Sequence, residues 1–151
     1  MANHITEIKQ IGFVTRDIER AIRNFTAIGL TDWSPIQDVM PDEYEGMVCD
    51  GQPQEYAMRV ATNFELDIEV ELIQPLDDHS DYAHWLDKLD TWIAMHHISV
   101  MTDNVDDLRN SGHELLVAGH SKGIPFGWEY YDFRDEIGTV LEYVPLPVKE
   151  G

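Results

Sequence analysis

The stretch MHHISVMTDNVDDL (residues 95–108) decides the fold: an extended run gives way at once to a capped helix start. MHHISVMT reads as a strand, the Thr-Asp-Asn that ends it supplies cap side chains, and DNVDDLRNSG (103–112) reads as a short helix ended by Gly112. The same succession stands near the start of the chain. EIKQIGFVT (7–15) alternates apolar and polar residues, then RDIERAIRNFTAIGL (16–30) switches to helical spacing, with Ile18, Ile22, Phe25 and Ile28 about a turn apart. Thr15 or Asp17 can cap that helix and Gly29 can end it.

Each strand-helix pair is followed by three extended candidates. In the first half these are DWSPIQ (32–37), EYAMRVAT (55–62) and DIEVELIQPL (67–76); in the second, HELLVAG (113–119), WEYYDFRD (128–135) and TVLEYVPL (139–146). Between them SDYAHWLDKLDTW (80–92) carries Tyr82, Trp85, Leu86 and Leu89 on one helical stripe. The segment DVMPDEYEGMVCDGQPQ (38–54), rich in Pro, Gly and acid, reads as a mobile loop and a candidate lid.

Superposing the halves tests the repeat. An offset of 87 lays Gln10-Ile11-Gly12 on His97-Ile98-Ser99 and Ile18 on Val105, and an offset of 71 lays Val70-Glu71-Leu72 on Leu141-Glu142-Tyr143. The expected fold is α+β and a single domain over 1–151: two tandem βαβββ modules, about 5–76 and about 92–146, with a helical insert at about 79–91. They form a cupped eight-stranded mixed sheet with helices on the outer face.

Side-chain alternation then sorts the strands by face. Ile11 with Phe13, Val70 with Leu72, Ile98 with Val100, and Leu141 with Tyr143 make the apolar side, against a helix. Gln10, Glu71, His97 and Glu142 fall on the other, where a pseudo-twofold collects them in the cup. Two carboxylates, an imidazole and an amide suit a divalent ion such as Zn, Ni, Co, Mn or Fe, and the charges of two carboxylates cancel those of the ion. Each of these residues alone has a plain structural explanation, as a satisfied strand histidine or a solvated carboxylate. Their matching positions in both halves favour the site.

Ten Lys and Arg against 29 Asp and Glu give a formal charge of −19, which repels nucleic acid and anionic membrane surfaces. A single cysteine, Cys49, forms no internal disulfide, and its acidic neighbours disfavour a reactive thiolate. MANHITEIKQ (1–10) lacks the basic and apolar regions of a secretory leader, and no run approaches the roughly 18 apolar residues of a spanning helix. A cytoplasmic protein is expected.

In order and spacing, QIGFVTRDIERAIRNFTAIGL, ELIQPL, MHHISVMTDNVDDL and FRDEIGTVLEYV together resemble the vicinal oxygen chelate superfamily, which includes glyoxalase I, methylmalonyl-CoA epimerase, extradiol dioxygenases and bleomycin-resistance proteins. The resemblance covers nearly the whole chain. It implies metal ligands on the first and last strand of each half, here Gln10, Glu71, His97 and Glu142, and a homodimer. The Gln/Glu/His/Glu set is more similar to one type of glyoxalase I; an epimerase usually has His where Gln10 stands and Gln where Glu71 stands. Gln10 argues against an extradiol dioxygenase, whose iron takes two histidines and a carboxylate. The acidity makes coenzyme A, with its phosphates, an awkward ligand.

The implied activity is that of a lyase or isomerase: a divalent ion polarises a small oxygenated substrate, and Glu71 and Glu142 are the candidate bases that move a proton next to a carbonyl. The competing reading is a metal-free protein that sequesters basic ligands, like the bleomycin-resistance members. Trp128 and Tyr130 are candidate pocket walls in an otherwise core-like aromatic strand. His96 reads as a polar residue at a strand entrance; His79, His84, His113 and His120 lack partners at ligand spacing.

Overall fold

The computed structural model describes residues 5–144. In chain order the elements are β1 (Ile5–Thr15), α1 (Ile18–Ala27), β2 (Gln37–Val39), a 3₁₀ turn (Pro41–Glu43), β3 (Tyr44–Cys49), β4 (Gln52–Pro53), β5 (Met58–Asn63), β6 (Glu69–Pro75), α2 (Asp81–Leu89), β7 (Ile93–Thr102), α3 (Val105–Arg109), β8 (Leu115–Ser121), β9 (Trp128–Phe133), α4 (Arg134–Ile137) and β10 (Thr139–Tyr143). The expected end of the last strand, at 145–146, lies outside the described residues.

Local chemistry accounts for the helix ends. The Asp17 carboxylate accepts from the Arg20 amide to open α1, and Gly29 follows that helix at φ +107°, a region open mainly to glycine. Ser80 and Asn104 cap α2 and α3 in the same way. No helix of the described residues is long and apolar enough to cross a membrane.

Among the described residues the strands form one curled, mixed ten-stranded sheet in the order β2-β5-β6-β1-β7-β10-β9-β8-β3-β4. At its centre β1 and β7 run antiparallel, pairing Gln10 with Ser99, Ile11 with Ile98 and Gly12 with His97. These pairs exchange under the offset of 87. On the flanks Gly12 pairs with Glu71 and Ser99 with Glu142, both in parallel ladders. Alternation therefore puts Gln10, Gly12, Glu71, His97, Ser99 and Glu142 on the concave face.

Three apolar clusters hold the sheet. On the convex side α1 buries Ile18 and Ala21 against Leu72 and Ala61, and α3 buries Leu108 against Val100, Leu141 and Tyr143. Burying a large aliphatic side chain such as Ile18, Leu72 or Leu108 is worth about 1.5–3 kcal/mol. The third cluster fills one end of the concavity: Tyr82 and Leu86 of α2 meet Val14, Ile73, Tyr130 and Val140. The insert helix thus plugs the cup and departs from the expectation that the helices lie on the outer face. Its apolar stripe needs a partner, and this end of the concave face offers one.

The sheet has ten strands where eight were expected, because residues 38–54 are not a mobile loop. They form β3 and β4, which extend the edge beyond β8. Met47 and Cys49 alternate into the core, and Asp50-Gly51, at φ +50° and +76°, joins β3 to β4 in a two-residue turn of the kind Asp-Gly favours. DWSPIQ contributes an isolated bridge, Trp33 to Asn63, and only its last residue, Gln37, enters β2. Pro35 in its middle has no amide to offer a ladder.

Candidate metal centre and active site

Each side chain of the site arrives by strand geometry. Glu71 lies on β6, His97 on β7 and Glu142 on β10, and one ligand atom from each falls within 4.8 Å of the other two. His97 Nε2 is 3.5 Å from Glu71 Oε1 and 3.7 Å from Glu142 Oε1. All three atoms are buried and have no hydrogen-bond partner. Three orphaned polar atoms facing one another are costly unless something positive sits among them, and the donor set of two oxygens and a nitrogen fits a divalent ion.

Gly12 makes room for this arrangement. A Cβ at that position would lie 2.0 Å from His97 Cε1, so the imidazole occupies the space above the glycine on the facing strand. Behind it the His97 and Tyr130 rings pack in a T-shaped contact, with centroids 4.7 Å apart.

The electrostatics follow from enclosure. Burial lifts the Glu71 carboxyl to about 8, helped by the charge of Glu69. Burial lifts Glu142 to about 7; His97 opposes the shift and Glu71 adds to it. Burial lowers His97, against the pull of Glu142. Without a bound cation, the centre thus favours neutral acids and a neutral imidazole.

Gln10 lines the same cavity of about 390 Å³ as Glu69, Glu71, Ser99, Trp128 and Glu142. It is half-buried, and its amide donates to Glu69 Oε2 at 3.5 Å. Trp128 stands in the cavity wall, its indole N–H donating to the Tyr56 hydroxyl at 2.6 Å. Tyr130 is only 2% exposed and is sealed behind His97, off the cavity surface. Cys49 is buried, and burial with the nearby Asp77 pushes its thiol up to about 12.

Sequence reasoning missed the group behind His97. The β1–β7 ladder passes from Gly12–His97 to Phe13–Met95, so His96 is the extra residue of a β-bulge. Strict alternation is lost there, and His96, 2% exposed, lies among Tyr82, Tyr130 and His97 in place of an open strand entrance. Its Nδ1 is 2.9 Å from His97 Nδ1 and its Nε2 is 2.7 Å from Asp81 Oδ2. Burial drives its pKa down to about 4, although the Asp81 hydrogen bond opposes this. For Asp81 itself burial acts upward, but the His96 hydrogen bond and Arg134 outweigh it and keep the carboxyl below the usual range. Arg134 donates to both Asp81 oxygens, at 3.1 and 3.3 Å. The doubled histidine was the one signal in the sequence.

Residues 9–129 match the model of the Glyoxalase/Bleomycin resistance protein/Dioxygenase superfamily, and the chain belongs to that family, the vicinal oxygen chelate superfamily. Its fold is shared with methylmalonyl-CoA epimerase from Mycobacterium tuberculosis, at 18% identity over 97% of this chain and 93% of that one, TM-score 0.61. Hypothetical protein BH1468 from Bacillus halodurans C-125 matches at 14% identity over 100% and 99%, TM-score 0.65. A Streptomyces coelicolor methylmalonyl-CoA epimerase variant in complex with 2-nitronate-propionyl-CoA matches at 19% over 93% and 94%, TM-score 0.62. No protein of curated function matches the sequence.

Proposed function

We propose that this protein is a divalent-metal-dependent isomerase or lyase acting on a small oxygenated carbon acid. The observation that carries the reading is the facing trio of unpartnered buried atoms, Glu71 Oε1, His97 Nε2 and Glu142 Oε1. Glu71, His97 and Glu142 would hold a divalent ion such as Zn, Ni, Co, Mn or Fe, with Gln10 as a fourth, weaker ligand on the cavity wall. When bound, such an ion supplies Lewis-acid polarisation of a substrate carbonyl.

The chain's own residues then handle the proton. Glu71 and Glu142 come from opposite halves of the sheet, so one can take a proton from a carbon beside the carbonyl and the other can return it. Return to the opposite face gives epimerisation; return to a neighbouring atom gives an isomerase or lyase shuttle. Trp128 and the rest of the 390 Å³ cavity set the size of substrate admitted. The proposal includes a homodimer, checked by light scattering, and a cytoplasmic setting, checked by cell fractionation.

The test is metal content of the untagged protein by mass spectrometry, before and after chelator dialysis and after back-titration. Near-stoichiometric uptake, abolished in Glu142→Gln with the fold retained, supports the site and directs a screen of hemithioacetals, 2-oxo and 2-hydroxy acids and acyl thioesters. No uptake, or unchanged affinity in Glu142→Gln, overturns it. A melting-temperature screen of basic ligands in metal-free buffer then tests the sequestering alternative.

A further inference from the structure

Behind the proposed ligand His97 runs a buried chain of polar contacts that neither half of the repeat accounts for. Arg134 grips both oxygens of Asp81, Asp81 Oδ2 lies 2.7 Å from His96 Nε2, and His96 Nδ1 lies 2.9 Å from His97 Nδ1. Asp81 and both histidines are at most 5% exposed, so water does not compete for these contacts. The far end of the chain is His97 Nε2, the unpartnered atom that faces Glu71 and Glu142.

We infer that Asp81 and His96 are positioning residues that fix the tautomer of His97, keeping its proton on Nδ1 and the lone pair of Nε2 aimed between Glu71 and Glu142. The direction follows from counting hydrogens. A carboxylate held by a guanidinium only accepts, so the 2.7 Å contact needs the hydrogen on His96 Nε2. A neutral His96 ring then has a bare Nδ1, and the 2.9 Å contact between the two Nδ1 atoms needs its hydrogen from His97. That leaves His97 Nε2 as a lone-pair donor toward the centre. The reverse wiring sets two lone pairs against each other at Asp81 and places a hydrogen on Nε2 where a metal must bind.

The structure also shows why the device sits on one half alone. Asp81 opens α2, the helix inserted between the halves, and the bulge at His96 turns a side chain that alternation would send to the convex face toward that helix. Tyr82 and Tyr130 pack around the His96 ring and hold its plane. The inserted helix thereby sets the chemistry of a strand residue.

The inference rests on the metal reading, and the experiment separates the two. In full-length metal-free protein, two-bond ¹⁵N–¹H correlations of labelled histidine report the His97 tautomer directly. The expected result is a neutral ring protonated at Nδ1; a ring protonated at Nε2 overturns the inference whatever the metal content. In His96→Phe, which keeps a ring between the tyrosines but has no acceptor, His97 should lose its fixed tautomer, and Zn²⁺ and Ni²⁺ affinity should fall 10–100-fold. Asp81→Asn with His96 in place, whose amide oxygen can still accept from His96 Nε2, should keep the Nδ1-protonated His97 and most of the wild-type affinity. Unchanged tautomer and affinity in a folded His96→Phe overturn the wiring while leaving the metal site standing. Wild-type protein that takes up no metal but shows the Nδ1-protonated ring sinks the metal reading and upholds the wiring.

Discussion

Gln10 and His97 hold matching places on the first strands of two similar halves, and their surroundings differ completely. Gln10 is half-buried, shares its amide with Glu69 and faces the cavity. His97 is 1% exposed, sits over the bare backbone of Gly12 and is backed by His96, Asp81 and Arg134. Strand pairing dictates where a side chain lies; burial and the groups behind it dictate what that side chain can do.

The largest effect should come from breaking the stronger side of this contrast. His97→Ala should lower Zn²⁺ affinity by more than about 100-fold, against about tenfold or less for Gln10→Ala, on the general scale of ligand and supporting-residue losses. Competitive titration measures both, and equal losses would erase the contrast between the halves.

Next is Gly12→Ala, which leaves every ligand in place and removes only space. A Cβ would lie 2.0 Å from the His97 ring, so the ring must shift, with a stability loss of about 1–3 kcal/mol by denaturant melts and weakened metal uptake. A stable, fully metal-binding Gly12→Ala would show that the close approach is not required.

The pH dependence sharpens the contrast without touching Gln10. In metal-free protein Glu71 and Glu142 titrate near 8 and 7, above their unfolded values, so their contribution is full at low pH and is lost as pH rises through those values. His96 and His97, lowered by burial, work the other way, but only below about 6.5, their unfolded value. Between pH 6.5 and 8 stability should therefore fall by about 2 kcal/mol, taking roughly 1.4 kcal/mol per pH unit for each displaced group. Saturating metal, or Glu71→Gln, should flatten most of that slope in thermal melts.

The smallest effect tests the edge strands that the first half lends to the second. Gly51 lies at φ +76° in the β3–β4 turn, so Gly51→Ala should cost about 1 kcal/mol and leave metal affinity unchanged. A loss of metal binding there would couple the edge to the centre, against the contrast drawn above.

Much of the fold was legible because periodicity is a local property. The spacing of Ile18, Ile22 and Phe25, the caps at Asp17 and Asn104, and the matching of Ile11 with Ile98 all rest on residues close in sequence or on simple alternation. Residues 38–54 misled because their acidic, Gly- and Pro-rich composition resembles a loop, whereas Met47 and Cys49 find burial only against a strand some 70 residues away. The Asp50-Gly51 pair was the available hairpin signal.

By itself the sequence determined which side chains share a face, since strand alternation needs no tertiary knowledge: Gln10, Glu71, His97 and Glu142 were grouped by parity alone. Tertiary structure decided how unequal they are. It brought Glu71, His97 and Glu142 to within 4.8 Å while leaving Gln10 paired with Glu69, and sealed Tyr130 behind the centre while Trp128 stayed in its wall. It also turned His96 through a bulge onto Asp81 of the inserted helix. Bulges and helix docking arise from packing between distant segments, and a period of two contains no information about either.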